Sequence, residues 1–491
     1  MSIRRAATWA MTAQYYGFAL QFVASLILAR YFISPEQLGL FSISFAAISL
    51  IAFLQDFGVA RYISGEQDLT EEKRRTAYTI SMSVSWLIAL LCVGLAWPIA
   101  AYYDNERLAP ISLVVAASYF LVPFAIVPQA LRQREMDFKS SAMIDMGAAS
   151  ANAAVALYLG WEGHGPMALA WGAFAQQAAR ALVAQWRAGW MMPWPPRFRN
   201  PGRIFTFGGT NTVLVVCHLV ADRAPELFIG RLLGAAPVGL YARGTGLAQQ
   251  LRMLLVGAVS GVFYPAFRQM RDEGKPLSEP YIMVAGAFTA IMWPALAGLA
   301  VLSEPTVELL YGDKWADTAP LLFWLALAQM CFIAVPLSAD LAILLDEKRD
   351  LMVRALLDLS LALALLVAAI PYGLEGIAAS RVVHGLLYLA NLGQFLHRIV
   401  RFSWTAWLAV QLRSAFVTVL AVTPALIFYR VWAGPGDAGF VQILASAGCG
   451  AALWLVGLWL IRHPVFTEGL AALAPLRRRF ARPVTHPGPV R

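Results

Sequence analysis

The chain has 491 residues, of which 59% are apolar and 14% charged. Soluble domains run about 45–50% apolar and roughly 25% charged, so a water-soluble enzyme or a nucleic-acid-binding protein is excluded as a class. The formal charge of +9, from 38 basic and 29 acidic residues, therefore needs an explanation other than DNA or RNA.

The apolar residues fall into runs of about 20, the length that crosses a hydrocarbon layer ~30 Å thick as a helix. In chain order the predicted spans are 9–31, 37–60, 78–103, 109–131, 141–161, 165–187, 204–233, 237–265, 281–311, 317–345, 351–372, 375–397, 407–432 and 439–462. The expected fold class is an all-α integral membrane protein with 14 transmembrane helices. Arg4 and Arg5 precede a first segment that many further spans follow, so it reads as a retained span and not a cleaved signal. Pro225 falls within the seventh span and is expected to bend it.

With the N-terminus placed in the cytoplasm, 27 of the 38 basic residues fall in inside segments and two, Arg107 and Lys314, in outside loops. The remaining nine lie within or at the ends of spans. A miscounted span would invert this bias downstream of the error, and no inversion occurs. The orientation is N-in/C-in, and most of the positive charge is topology. Cys92, Cys217, Cys331 and Cys449 all lie in apolar runs without metal-ligand spacing, so they read as small hydrophobes, and no metal site is expected.

An internal echo divides the chain. Leu26-Ile-Leu-Ala-Arg30 is followed by Gly39-Leu-Phe41, and Leu227-Phe-Ile-Gly-Arg231 by Gly239-Leu-Tyr241. Ala130-Leu-Arg-Gln-Arg-Glu-Met-Asp137 more weakly resembles Leu344-Leu-Asp-Glu-Lys-Arg-Asp350. The expected organisation is two six-helix lobes in parallel orientation, 1–200 and 201–400, then two further helices in 401–462 and a basic tail in 463–491. Parallel repeats of this kind hold a substrate site near the midplane between lobes.

Four spans carry polar stripes, aligned at 100° per residue. Tyr241, Thr245, Gln249 and Arg252 share one face of the eighth span. Asn211, His218, Asp222 and Glu226 share one face of the seventh, Gln14, Gln21 and Ser25 of the first, and Ser42, Ser49 and Asp56 of the second. Interhelical hydrogen bonding alone would also align them. The number of charges favours a shared cavity instead. Two acidic stripe residues could couple a proton or Na⁺, with His218 beside Asp222 and Arg223 neutralising Glu226 at i,i+3. Arg30, Arg223, Arg231, Arg243, Arg252 and Arg381 give an intramembrane arginine surplus. Arginine stays charged when desolvated and binds phosphate oxygens in pairs, so an anionic, hydroxylated head group fits better than a cationic drug.

Several segments resemble a known family. Ile229-Gly-Arg231-Leu-Leu-Gly234 with Gly239-Leu-Tyr241-Ala-Arg243, Phe263-Tyr-Pro-Ala-Phe-Arg268, Gly312-Asp-Lys-Trp315, Ile33-Ser-Pro-Glu-Gln-Leu-Gly-Leu-Phe41 and Asp56-Phe-Gly58 are similar to the polysaccharide flippases, the Wzx-type subgroup of the multidrug/oligosaccharidyl-lipid/polysaccharide exporter superfamily. The resemblance covers roughly residues 1–400. It implies a two-lobed helical bundle that moves undecaprenyl-diphosphate-linked oligosaccharide from the cytoplasmic to the periplasmic leaflet by alternating access. Asp222 matches a recurrent acid of the seventh span that Asn usually follows, and Arg223 stands in place of that Asn here.

The substrate-cavity residues expected on this reading are Arg252, as the midplane diphosphate group, with Gln249, Thr245, Tyr241, Gln14, Gln21, Arg223, Arg30, Arg231 and Arg381. Asp222, Glu226 and His218 are the ion-coupling candidates. The protein is expected to be a monomer of the bacterial inner membrane. Its expected partners are the lipid-linked oligosaccharide, the bilayer, and the polymerase and co-polymerase of the same pathway, with no nucleic acid. No cofactor is expected beyond H⁺ or Na⁺ coupling, and no Walker A sequence occurs to bind ATP. An ion-coupled multidrug exporter, a peptidoglycan-precursor (lipid II) flippase and a membrane enzyme of surface-sugar assembly are the competing readings.

Overall fold

The computed structural model describes residues 3–55, 58–66, 68–191, 196, 202–429, 440–461 and 463. Among these the chain is built of helices. They are α1 (Ile3–Ile27), α2 (Pro35–Ala52), α3 (Val59–Gly65), α4 (Glu71–Tyr102), α5 (Leu108–Ser118), α6 (Pro123–Arg134), α7 (Phe138–Trp161), α8 (Pro166–Ala188) and α9 (Gly202–Leu232). There follow α10 (Ala235–Asp272), α11 (Ser278–Val301), α12 (Ser303–Tyr311), α13 (Thr318–Ile333), α14 (Ser338–Leu344), α15 (Lys348–Ala369), α16 (Gly373–Val400), α17 (Trp404–Ile427) and α18 (Phe440–Leu460). A π-helical turn, Leu28–Phe32, extends α1.

Local sequence explains where the helices begin. Ser34 accepts from the Gln37 amide, and the Gln37 side chain accepts from the Ser34 amide. This reciprocal cap, with Pro35 in the first turn, is the physical content of the Ser-Pro-Glu-Gln motif. Thr70 of α4, Asp137 of α7 and Ser403 of α17 are simpler caps, each side chain accepting from one backbone amide three residues on. Helix α9 continues through Pro225.

Among the described residues, eight helical stretches are long and apolar enough to cross a membrane, or nine if the pair Leu108–Leu121 and Pro123–Arg134, bent by 42°, is one span. One of the eight, Lys348–Val400, has 53 residues, far beyond the roughly 20 that one crossing needs. Polar residues lower the hydropathy of other long helices: Gln14 and Gln21 in α1, and Gln176, Gln177 and Arg180 in α8. Helix α4 beyond Arg75 and helix α18, both free of charged residues, expose Leu87, Leu90, Leu91 and Trp97, and Val441, Leu444, Leu455 and Trp459. In water such bands would be a liability; in lipid they are the contact surface. The protein is a multi-pass membrane protein.

The chain forms two compact units. The first takes the stretch up to Gln250 with Val307–Leu325 and Glu347–Leu387, and the second takes Leu251–Thr306, Ala326–Asp346 and the stretch from Tyr388. In the second unit α11 packs on α17 and α17 on α18. Thr289, Ser414 and His463 form a buried hydrogen-bonded chain there, with contacts of 2.9 and 3.3 Å.

In the first unit the two copies of the internal echo meet. The Gly39 backbone of α2 lies against Ala235 and Gly239 of α10, and the Gly239 backbone against Pro35 and Gly39. A Cβ at either glycine would fall inside the other segment's carbonyl oxygen and 3.1 Å from the partner glycine's nitrogen. The contact is reciprocal, as a pseudo-twofold relation between the copies requires. The arginines that precede these glycines also behave alike. Arg30 donates to the Leu309 carbonyl, and Arg231 pairs with Asp104 at 3.0 Å. Trp315 donates to the Ala29 carbonyl at 2.9 Å, and Tyr103 to the Leu227 carbonyl at 3.0 Å. The end of each echo's first helix is thus tied to a segment more than 120 residues away in sequence.

Candidate transport cavity

The helices of the first unit line a cavity of about 310 Å³. Ser25 and Leu28 contribute from the α1 end, Phe41, Ser42 and Phe45 from α2, Arg223 and Glu226 from α9, and Ala242, Arg243, Gly246, Leu247 and Gln250 from α10. Leu169 and Tyr311 close it from α8 and α12. The four helices with polar stripes therefore do line one cavity, though not every stripe residue reaches it.

Arg223, Arg243 and Glu226 are the charged residues of this wall, with Ser25, Ser42, Gln250 and Tyr311 as its other polar members. Arg223 Nη1 lies 3.4 Å from both Glu226 carboxylate oxygens, and its guanidinium sits 5.3 Å from the Phe45 ring centre. Glu226 is buried. The Arg243 guanidinium lies against two neighbouring rings, 4.8 Å from the Tyr311 centre and 5.1 Å from that of Trp315. The Nε atoms of Arg223 and Arg243 are both buried without a hydrogen-bond partner among the described residues. Glu226 answers one arginine and leaves a net positive charge, held in place by cation–π contact with aromatic faces. Arginine forks of such a site match phosphate oxygens.

The other predicted site residues are distributed around it. On α10 the cavity takes the face of Arg243 and Gln250, not that of Tyr241, Thr245, Gln249 and Arg252. Tyr241 is buried, and Thr245, Gln249 and Arg252 are half-buried. Gln14 and Gln21 of α1 are exposed. Arg30 and Arg231 serve the ties described above. The side chain of Asn211 and the residue Asp56 lie outside the described residues. Arg243 was legible as one of the arginine surplus but fell off the chosen stripe. Its spacing of seven from Gln250 marks a second polar face of α10.

Asp222 and Arg381 meet elsewhere. Arg381 Nη2 is 3.8 Å from Asp222 Oδ1, and His218 Nε2 is 3.5 Å from Asp222 Oδ2. Arg381 also reaches His384, which contacts Asp358. Neither His384 nor Asp358 carried a signal in the sequence, because their helices α15 and α16 read as predominantly apolar. Of the cysteines, Cys92 and Cys217 are buried, but Cys449 is exposed.

Residues 27–320 match the family model described as "Polysaccharide biosynthesis protein". The succinoglycan biosynthesis transport protein ExoT of Rhizobium meliloti is 25% identical over 337 residues, 67% of this chain and 66% of that protein. The lipopolysaccharide biosynthesis protein WzxC of Escherichia coli is 25% identical over 325 residues, 64% of each chain. The matches span just under two thirds of the length of these relatives. Among solved structures, the lipid II flippase MurJ in its inward closed conformation superposes with a TM-score of 0.70 at 12% identity, over 93% of this chain and 98% of that one. At that identity the likeness is one of fold.

Proposed function

This chain belongs to the polysaccharide biosynthesis protein family, and on that premise we propose that it is a flippase, not an enzyme, for undecaprenyl-diphosphate-linked oligosaccharide repeat units. It carries them to the periplasmic leaflet of the bacterial inner membrane by alternating access, for capsule, exopolysaccharide or O-antigen assembly. The reading includes 14 crossings with both termini cytoplasmic, lobes at 1–200 and 201–400, an added helix pair in 401–462 and a basic tail after it. It also includes a monomer that hands its product to a polymerase and co-polymerase, and coupling to H⁺ or Na⁺ in which Asp222 and His218 take part.

One observation carries the proposal: Arg223 and Arg243 line one cavity that holds a single carboxylate. At about 310 Å³ it lies at the small end of ligand sites and suits a diphosphate with part of its first sugar. A net positive wall disfavours the cationic substrates of a multidrug exporter. A lipid II flippase would be needed for growth itself, whereas a polymer exporter is needed for surface sugar. Deleting the gene tests both points. The expected result is viable cells without surface polymer, with lipid-linked repeat units accumulating on the cytoplasmic leaflet. Intact surface polymer in the deletion strain would overturn the reading.

A further inference from the structure

One face of α1 leads out of the cavity. Ser25 lines the cavity wall. On a helix of ~3.6 residues per turn, Gln14, Phe18, Gln21 and Ser25 fall within an arc of about 60°. They form a single face that runs from the N-terminal half of α1 to the cavity. Gln14 and Gln21 are exposed, and no hydrogen bond joins either amide to a described residue. The Phe18 ring stacks on Phe22 at 6.1 Å. The opposite face of α1 is of another kind. Ala19 and Val23 are exposed there, and Thr12 beside them turns its hydroxyl back onto the Thr8 carbonyl at 2.8 Å. A polar group that satisfies itself within the helix is at home in lipid. An amide open to hydrocarbon has nothing to offset its lost hydration, so Gln14 and Gln21 mark the side of α1 that water reaches.

Helix α9 repeats the arrangement. Glu226 lines the cavity, and Asp222 and His218 follow at intervals of four toward the start of the helix, where the His218 side chain is 71% exposed. The first helix of each echo copy thus leads a polar face out of the same cavity. At about 310 Å³ that cavity takes a diphosphate and part of one sugar, so the further sugars of a repeat unit need a surface outside it. The α1 face has the chemistry for them. A glutamine amide both donates and accepts, as a sugar hydroxyl does. The Phe18 ring presents an apolar surface to the C–H side of a pyranose. From Ser25 to Gln14 the face is about 16 Å long, enough for several sugars of an extended chain.

We propose that the oligosaccharide of the substrate lies along this face of α1, with the diphosphate innermost at Arg223 and Arg243 and the sugars running outward past Ser25, Gln21 and Phe18 to Gln14. The sugar next to the carrier is then the one inside the cavity, and the sugar furthest from the carrier lies near Gln14. The track rests on the flippase reading; which side of α1 faces water stands without it.

The test has two arms on the full-length protein in native membranes. In the first, Gln14→Cys, Gln21→Cys, Ala19→Cys and Val23→Cys are treated singly with a water-soluble thiol reagent supplied on both sides, and the native protein's four cysteines give the background. The two glutamine positions should react and the other two should not. No difference between the two faces would overturn the inference. In the second arm, Ser25→Cys, Gln21→Cys and Gln14→Cys are labelled in membranes from three kinds of cell. One lacks the surface-sugar polymerase and retains complete lipid-linked repeat units, one stops after the first sugar, and one makes no lipid-linked sugar. The complete unit should slow labelling several-fold at all three positions. The single-sugar unit should slow it at Ser25→Cys and leave Gln14→Cys as reactive as in cells without lipid-linked sugar. Protection of Gln14→Cys by the single-sugar unit, or its lack of protection by the complete unit, would overturn the track. Phe18→Cys replaces Gln21→Cys if that variant does not fold. If no unit protects even Ser25→Cys, the flippase reading itself fails and the track with it, and the first arm still decides which side of α1 faces water.

Discussion

Gly39 and Gly239 face each other backbone to backbone, each set against the carbonyl that begins the other's helix. They hold the same place in the two copies of the sequence echo, Gly39-Leu-Phe41 and Gly239-Leu-Tyr241. Small residues permit such approach in membranes, where close packing replaces the hydrophobic drive between helices. An added methyl would meet main chain, and no rotamer change can relieve it. Gly39→Ala and Gly239→Ala are each expected to cost more than the ~1–3 kcal/mol of ordinary overpacking. The measurement is thermal unfolding in detergent, with folded yield as a second reading. The double variant should cost little more than either single one, because separating the helices once makes room for both methyls. Simple additivity would mean that the two contacts are independent.

Arg243 gives a sharper test of the cavity than Arg252 does. Its guanidinium rests against the adjoining rings of Tyr311 and Trp315, and its Nε has no partner among the described residues. Arg243→Ala is expected to remove export, read as loss of surface polymer with lipid-linked units retained inside. Arg243→Lys should restore only a minor part, since a point charge cannot fork to two phosphate oxygens or stack as a plane. Arg252→Ala, on the neighbouring face of α10, should weaken export less than Arg243→Ala. The reverse order would return the diphosphate to Arg252.

How far the sequence reached follows from what periodicity can detect. Spacing at 100° identified the four helices around the cavity, and Ser25, Ser42 and Glu226 do line it. On α10 two polar faces compete, and the longer run from Tyr241 to Arg252 drew attention from Arg243 and Gln250. Only tertiary packing decides between them. The Arg223–Glu226 pair was legible because it is local, at i,i+3. The His384–Asp358 contact joins residues 26 apart on different helices, and no period within one helix encodes it. The glycine echo was visible as a repeat, but its direct contact was not, since similarity says nothing of proximity.

The N-terminal cap of α7 predicts a pH dependence. Burial acts to raise the Asp137 carboxyl, but hydrogen bonds from the Ser140 side chain and backbone outweigh it. With the charges of Arg187 and Arg132, they hold Asp137 below the usual carboxylate range. The Ser140 hydroxyl is itself bonded by Arg187, at 2.7 and 2.9 Å. A depressed folded value means that the stabilisation is fully present above the unfolded pKa of about 3.9. It is lost as pH falls through the folded value. Asp137→Ala should lower stability by about 1 kcal/mol near neutral pH, and the gap to the native protein should close on strong acidification. A gap independent of pH would assign the loss to packing and not to the carboxylate.

Trp315 links the π-helical turn to the cavity. Its indole N–H donates to the Ala29 carbonyl, and both residues are fully buried. A π-turn disturbs the regular ladder of the helix, and this carbonyl lies within it. Trp315→Phe removes the donor and leaves the carbonyl buried without it, which costs about 1–3 kcal/mol. The same ring supports Arg243 from one side, so export should fall as well, though less than in Arg243→Ala. Trp86→Phe is the comparison. Trp86 also donates to a backbone carbonyl, that of Phe120 at 3.2 Å, but it is 39% exposed, and surface changes stay within about 0.5 kcal/mol. Thermal unfolding and surface-polymer yield, measured on both variants, separate the two. Equal losses at Trp86 and Trp315 would mean that neither the π-turn carbonyl nor the Arg243 stack depends on Trp315.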